Sequence, residues 1–147
     1  MPDRLLQLEL DNQLCFALYR ASRAVVRAYG PLLAELGLTY PQYMTMLVLW
    51  QADEPLPVSR IGERLALDSG TLTPLLKRLE DQGLVERRRD PDDERRVLVS
   101  VTAEGAALRA AAADVPAAVF PRYGLTLADA RELLRDVTGL AEALERA

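Results

Sequence analysis

The chain has 147 residues, half of them hydrophobic, with a net charge of −4, one cysteine and no histidine. That size holds one domain, or one domain with arms, and supplies a core. No run of 18 apolar residues and no basic-then-apolar leader is present, so neither a membrane span nor an export signal is expected; a lone cysteine then implies a reducing, cytoplasmic setting without an internal disulfide, and without histidine no His/Cys metal site or cofactor is expected.

Met1 to Leu10 carries Leu5, Leu6, Leu8 and Leu10 and is either an arm against a partner or a fraying end. A helix follows, capped by Asp11 or Asn12 and running to about Tyr29, with Leu14, Leu18, Ala21 and Val25 on one face. Gly30-Pro31 interrupts it, and Leu32 to Leu36 forms a short helical piece ending at Gly37. Thr39 and Gln42 form a capping box for the next helix, with Leu38 and Tyr43 as its hydrophobic staple. Met44, Leu47, Val48 and Trp50 make that helix nearly all apolar, hence central to the core, and Asp53 to Pro57 is expected as a loop.

From Val58 to Thr102 the pattern is helix, turn, helix, hairpin. Val58, Ile61 and Leu65 have helical spacing; Asp68-Ser69-Gly70 punctuates; Leu72, Leu75, Leu76 and Leu79 define a second helix that ends at Gly83. The period then changes to two, with Asp90-Pro91-Asp92-Asp93 turning the chain before Val97, Val99 and Val101. Thr102 caps an alanine-rich helix to about Asp114, Pro116 and Pro121 break the pattern, and Thr126 with Asp129 starts a last helix bearing Leu133, Leu134, Val137, Leu140 and Leu144. The fold class is therefore mainly α with a small β wing: a winged helix-turn-helix (58–102) flanked by N-terminal (1–57) and C-terminal (103–147) dimerisation helices, one structural domain overall.

This pattern suits double-stranded DNA. Asp68 or Ser69 caps the second helix, leaving Ser69, Thr71 and Thr73 to approach base edges or phosphates, with Lys77 and Arg78 where a phosphate backbone would run. Pro74 removes one backbone bond, to Gly70, and a slight bend is expected there. The hairpin loop is read as carrying Arg87, Arg88, Arg89, Arg95 and Arg96, a wing for the minor groove. Residues 58–102 hold nine basic and nine acidic side chains, so the −4 comes from the nine basic and thirteen acidic residues elsewhere. A neutral reader on an acidic body predicts weak non-specific binding and strong salt sensitivity. The apolar stripes of the terminal helices predict a homodimer on a pseudo-palindromic operator, the alternative being a monomer whose core those helices complete.

Three segments carry a family resemblance: Asn12 to Tyr19 (NQLCFALY), Leu36 to Tyr43 (LGLTYPQY) and Leu67 to Arg78 (LDSGTLTPLLKR), together with Asp93-Glu94-Arg95 in the wing. In that order and spacing they resemble the organic hydroperoxide resistance regulators of the MarR family, over about Leu10 to Gly105. The resemblance implies that Cys15 senses peroxide, that Tyr29 and Tyr40 hold its thiolate from the other subunit with Tyr19 nearby, and that Asp93 and Arg95 pair with each other at the minor groove. It also implies control of the regulator's own gene and of a peroxide reductase gene. Family members with a second cysteine near the C-terminal helix form an intersubunit disulfide; this chain has none and is similar to the one-cysteine class, which uses a low-molecular-weight thiol.

The residues support that chemistry independently. With Asn12 as cap, Cys15 falls at the third helical position, where free amides and the helix dipole favour a thiolate able to attack an organic hydroperoxide. Phe16 and Leu18 would line the site apolarly; the alternative is that Cys15 is an inert buried hydrophobe. The expected function is a peroxide-released repressor rather than an enzyme. Its rivals are a MarR-type repressor released by a small phenolic ligand, a thiol peroxidase, and a winged-helix module for protein contacts.

Overall fold

The computed structural model describes residues 5–147, so the first four positions of the expected N-terminal arm lie outside the described residues. The chain divides into two compact units, Met1–Ala113 and Asp114–Ala147.

The first unit opens with 3-10 turns at Leu6–Leu8 and Leu10–Asn12, followed by α1 (Leu14–Glu35), α2 (Tyr40–Trp50), β1 (Leu56–Pro57), α3 (Val58–Leu65), α4 (Ser69–Asp81), β2 (Val85–Arg89), β3 (Val97–Val101) and α5 (Ala103–Ala112). The second holds α6 (Val115–Val119), a 3-10 turn at Phe120–Tyr123 and α7 (Leu127–Arg146).

α2 is the hub: it packs on α1, α3, α4, α5 and β3. Its near-continuous apolar sequence answers to that position, with Tyr43, Met46, Val48 and Leu49 buried. The capping box is present, the Thr39 amide donating to Gln42 Oε1 at 2.9 Å and the Gln42 amide to Thr39 Oγ1 at 3.4 Å. Around α2 the core is completed by Leu33, Ile61, Leu72, Leu76, Leu79, Val85 and Val99, all nearly inaccessible.

α1 does not stop at Gly30-Pro31. It runs 22 residues with Pro31 inside. The proline removes the amide that would bond to the Arg27 carbonyl, but Leu33, two residues further, is buried, and tertiary packing outweighs one missing bond. α4 likewise continues through Pro74.

The segment expected as a loop at Asp53 to Pro57 contributes a strand. Leu56 and Pro57 pair antiparallel with Val99 and Leu98, giving the sheet order β1-β3-β2. Proline hides such a strand in the sequence, yet it is tolerated on an edge, where no partner needs its amide.

α3 and α4 end in the same way. After α4, Gly83 adopts φ +77° while its amide donates to the Glu80 carbonyl and the Leu84 amide to the Leu79 carbonyl. After α3 the left-handed position is held by Ala66, φ +53°, with Leu67 donating to the Gly62 carbonyl. Three residues, Ala66 to Asp68, then turn the chain into α4. The chain between α4 and α5 is closed by Thr102: its hydroxyl donates to the Gly83 carbonyl at 2.6 Å and accepts from the Gly105 amide at 3.1 Å. α5 ends at Ala112, two residues short of the expected Asp114. Gly105 lies so close to the Leu84 carbonyl and Val101 that a Cβ there would meet Val101 Cγ1 at 2.7 Å, and its own carbonyl accepts the Trp50 indole N–H at 2.9 Å.

Candidate nucleic-acid interface and sensing cysteine

α4 has two faces. Leu72, Leu75, Leu76 and Leu79 are buried; Ser69, Thr71, Thr73, Lys77 and Arg78 are exposed. The cap is Asp68, which accepts the Thr71 amide at 2.7 Å and whose carboxyl is held below the usual range by that bond. Ser69 is thereby the first residue of the helix, with its side chain free of the capping role.

The wing loop runs Asp90 to Arg96 and is internally braced. Arg95 donates through Nε and a terminal nitrogen to Asp93 at 3.1 and 3.4 Å, and its amide bonds to the same carboxylate at 3.1 Å. Those bonds lower the Asp93 pKa, the Arg95 side chain contributing first. The Arg95 side chain is nevertheless 91 % exposed: it is oriented by Asp93 and open on its other edges. Arg96 lies 3.6 Å from the buried Asp90 carboxylate, which also accepts the Asp92 amide.

Arg87, Arg88 and Arg89 are not in the loop as expected. They lie on β2, in register with Val99, Leu98 and Val97, because the strand stays paired with β3 up to Arg89 and the turn begins only at Asp90. Arg87 is held by Glu80 of α4, which accepts its backbone amide at 3.0 Å and its guanidinium at 3.1 and 3.4 Å. Glu80 is correspondingly lowered in pKa, first by the Arg87 side chain. Arg89 donates to the Glu94 carbonyl at 2.7 Å. The Glu80–Arg87 clamp, which fastens helix to wing, is hidden in the sequence among ordinary surface charges. Ser69, Thr73, Arg87, Arg95 and Arg96 line one groove between α4 and the wing. Thr71, Lys77 and Arg78 face solvent outside it.

Cys15 is exposed, so the buried-hydrophobe alternative does not hold for the single chain. It is the second residue of α1, not the third: Gln13 is the cap residue, without a side-chain cap bond. The Asn12 side-chain nitrogen turns back to the Leu6 carbonyl at 2.9 Å, and that of Gln13 to the Gln7 and Glu9 carbonyls at 2.6 and 3.1 Å. No acidic residue occupies the first turn. The amides and dipole of this end are therefore not spent on a side-chain carboxylate or hydroxyl.

Tyr19 sits one turn along from Cys15 and is 62 % exposed, with the Arg23 guanidinium 5.5 Å from its ring centroid. Tyr29 and Tyr40 pack edge to face at 5.4 Å, and Tyr43 completes the cluster at 5.8 and 6.4 Å from them. Tyr43, expected only as a staple, thus has a second part, for which the sequence carries no signal beyond its spacing from Tyr40. Tyr29 is fourteen residues from Cys15 on the same helix, about 21 Å along the axis, so the cluster is out of reach of its own thiol. Phe16 and Leu18 of α1 are both partly buried.

Residues 27–111 match the family model described as transcriptional regulator SarA/Rot. The organic hydroperoxide resistance transcriptional regulator of Bacillus subtilis (strain 168) is 44 % identical over 146 residues, 99 % of each chain. Among solved structures, AbfR bound to DNA superposes with a TM-score of 0.76 in both its reduced and its overoxidised form, at 35 and 34 % identity over 94 % of this chain and 96 % of that one. A MarR-family transcriptional regulator from Rhodococcus sp. RHA1 gives a TM-score of 0.81 at 28 % identity, covering 91 % of this chain and 96 % of the other. The chain belongs to the organic hydroperoxide resistance regulators, within the MarR family of winged-helix transcriptional regulators.

Proposed function

We propose that the protein is a DNA-binding transcriptional repressor that an organic hydroperoxide releases from its operator through Cys15. The observation that carries this reading is an exposed thiol at an uncapped helix start, in a chain whose α4 and wing line a common groove with Ser69, Thr73, Arg95 and Arg96. Ser69, Thr71 and Thr73 meet the major groove, Lys77 and Arg78 the phosphates, and Arg95, oriented by Asp93, enters the minor groove with Arg96 beside it.

The working unit is a homodimer on a pseudo-palindromic site. Two features support it. The exposed Leu127, Leu133, Leu134, Val137 and Leu144 of α7 form a stripe that water does not favour. The Tyr29–Tyr40 pair is too distant from its own Cys15 and becomes a hydrogen-bonding partner only across two copies. The N-terminal and C-terminal helices are then the dimerising parts and 58–102 the reader. Because the relatives are regulators, turnover of peroxide as an enzyme is not part of this function.

The chemistry balances in two steps. The Cys15 thiolate attacks the distal peroxide oxygen; the O–O bond breaks, alcohol leaves with a proton from solvent, and a sulfenic acid remains. A small thiol then attacks that sulfur, the S–O bond breaks, water leaves and a mixed disulfide forms. Overoxidised AbfR is still found on DNA, which agrees with release needing the bulkier adduct rather than added oxygen alone. Anisotropy of labelled operator DNA tests this. Reduced protein should bind, alkyl hydroperoxide alone should leave much of the binding, and peroxide with a small thiol should abolish it reversibly under dithiothreitol. Release of a Cys15→Ser variant by peroxide would overturn the reading; its release by a phenolic compound would favour the ligand-gated alternative.

A further inference from the structure

α1 is cationic in an acidic protein. Over Leu14–Ala34 its only charged residues are Arg20, Arg23 and Arg27, the first acid being Glu35. Among the described residues none of the three has a carboxylate partner. They are not equivalent. Cys15, Tyr19 and Arg23 recur every four residues, which puts Arg23 about 80° around the helix from Cys15, whereas Arg20 lies about 140° around. Side chains on a helix lean toward its N-terminus. Arg23 does so, its guanidinium carbon lying over the Tyr19 ring at 5.5 Å from the centroid, which draws the positive charge toward Tyr19, the residue about one turn, roughly 6 Å along the axis, from Cys15. A guanidinium held over a ring face keeps N–H donors available for a planar acceptor.

Resting on the reading that oxidised Cys15 is closed by a small thiol, we propose that Arg23 selects a carboxylate-bearing thiol for that step. The thiol sulfur forms the S–S bond with Cys15 as water departs, while its carboxylate, a few bonds away, accepts from the Arg23 guanidinium across the Tyr19 ring. Neutral thiols react without that anchor, and cationic ones meet repulsion. Tyr19 is the platform that aims Arg23 and Arg23 is a specificity-determining residue; neither exchanges atoms with the thiol.

A competition experiment isolates the selection. Reduced protein is treated with one equivalent of cumene hydroperoxide in an equimolar mixture of 3-mercaptopropionate and 2-mercaptoethanol, and the two Cys15 adducts are quantified by intact mass spectrometry. The intrinsic reactivities of the thiols cancel when the adduct ratio is compared between variants. Arg23→Gln should lower the anionic-to-neutral ratio about two- to fivefold, the worth of one partly exposed ion pair. Arg23→Lys should restore most of it, and Arg20→Gln, an equal loss of charge on another face, should leave it unchanged. With cysteamine in place of 3-mercaptopropionate, the Arg23→Gln shift should reverse. Should Arg23→Gln fail to fold, the wild type decides alone: raising salt from about 50 mM to about 1 M should lower its anionic-to-neutral ratio toward that of the free thiols. A ratio indifferent to Arg23 or to salt, or an Arg20→Gln effect equal to that of Arg23→Gln, overturns the selection and leaves the mixed disulfide intact. Absence of any thiol adduct overturns the thiol step itself.

Discussion

Replacing Glu80 probes how the recognition helix and the wing are held as one body. β2 is an edge strand, so its outward amides have no strand partner. At Arg87 one such amide is taken by Glu80, whose second oxygen binds the guanidinium of the same residue. Glu80→Ala removes three hydrogen bonds, two of them to a charged group, but side-chain exposures of 24 % for Arg87 and 35 % for Glu80 discount their worth. About 1–2 kcal/mol of stability should be lost, equivalent to roughly 2–8 °C in Tm for a chain of this size. Glu80→Gln keeps an oxygen for the amide and should lose about half as much. The pH dependence has a definite sign. Arg87 holds the Glu80 carboxyl below its ordinary value, so folding favours the ionised form; the contribution is complete above the unfolded-state pKa and lost as pH falls through the folded one. Urea titrations should find the wild-type advantage over Glu80→Gln constant from about pH 8 to 5 and shrinking below about pH 4. DNA affinity should fall in both variants, because the α4–wing groove loses its fastening. A Glu80→Ala protein within about 0.5 kcal/mol of wild type, or an advantage that grows on acidification, would refute the clamp.

Arg95→Ala should weaken operator binding by about 1–3 kcal/mol without changing Tm, measured by anisotropy at fixed salt; unchanged affinity would remove the wing from the interface. Tyr40→Phe keeps the ring that packs against Tyr29 and Tyr43 but loses its hydroxyl. It should slow oxidation by organic hydroperoxide about tenfold, the value of one hydrogen bond to a thiolate, while leaving DNA binding of the reduced protein in place. Ala66→Gly should stabilise the fold by about 0.5 kcal/mol, since a left-handed backbone costs an alanine about 1 kcal/mol and the glycine returns part of that gain in chain entropy; a lower Tm would contradict the strain.

Much of the fold was legible because its signals are local. The capping box at Thr39, the buried leucine spacing of α4, the glycine stop at Gly83 and the alternation into β3 each specify their element from a few adjacent residues. The misreadings have a common cause in partners distant along the chain. Gly30-Pro31 reads as a break until the burial of Leu33 is known, and Leu56-Pro57 reads as a loop until β3 is there to pair with it. Glu80 and Arg87 each look like solvated charges, and only the fold brings them to 3.1 Å. The site divides likewise. Cys15, Tyr29, Tyr40, Asp93 and Arg95 could be singled out by motif, but the helix start one residue later than an Asn12 cap implies, the placement of Arg23 over Tyr19 and the third tyrosine of the cluster are set by the fold and carry no local signal.

The proposed switch has an energetic requirement and a route that can meet it. Moving an operator from mostly occupied to mostly free takes about 5.5 kcal/mol of preference between two states. One oxygen atom on sulfur, still able to accept a hydrogen bond, provides little of that; a bulky disulfide that displaces aromatic rings provides contacts of the right size. Tyr40 is the first residue of α2, and α2 packs on α3, α4 and β3 as well as on α1. Force applied to the Tyr29–Tyr40 pair therefore enters the DNA-reading elements through the helix that organises them, with no flexible linker between. Because the thiol cannot reach Tyr29 and Tyr40 of its own chain, the proposed switch takes its force from the other copy, so that oxidation of one subunit acts on the reader of its partner. In such an arrangement a single adduct per dimer disturbs one of two half-sites, and the steep loss of affinity expected of a two-fold operator follows from breaking either half alone.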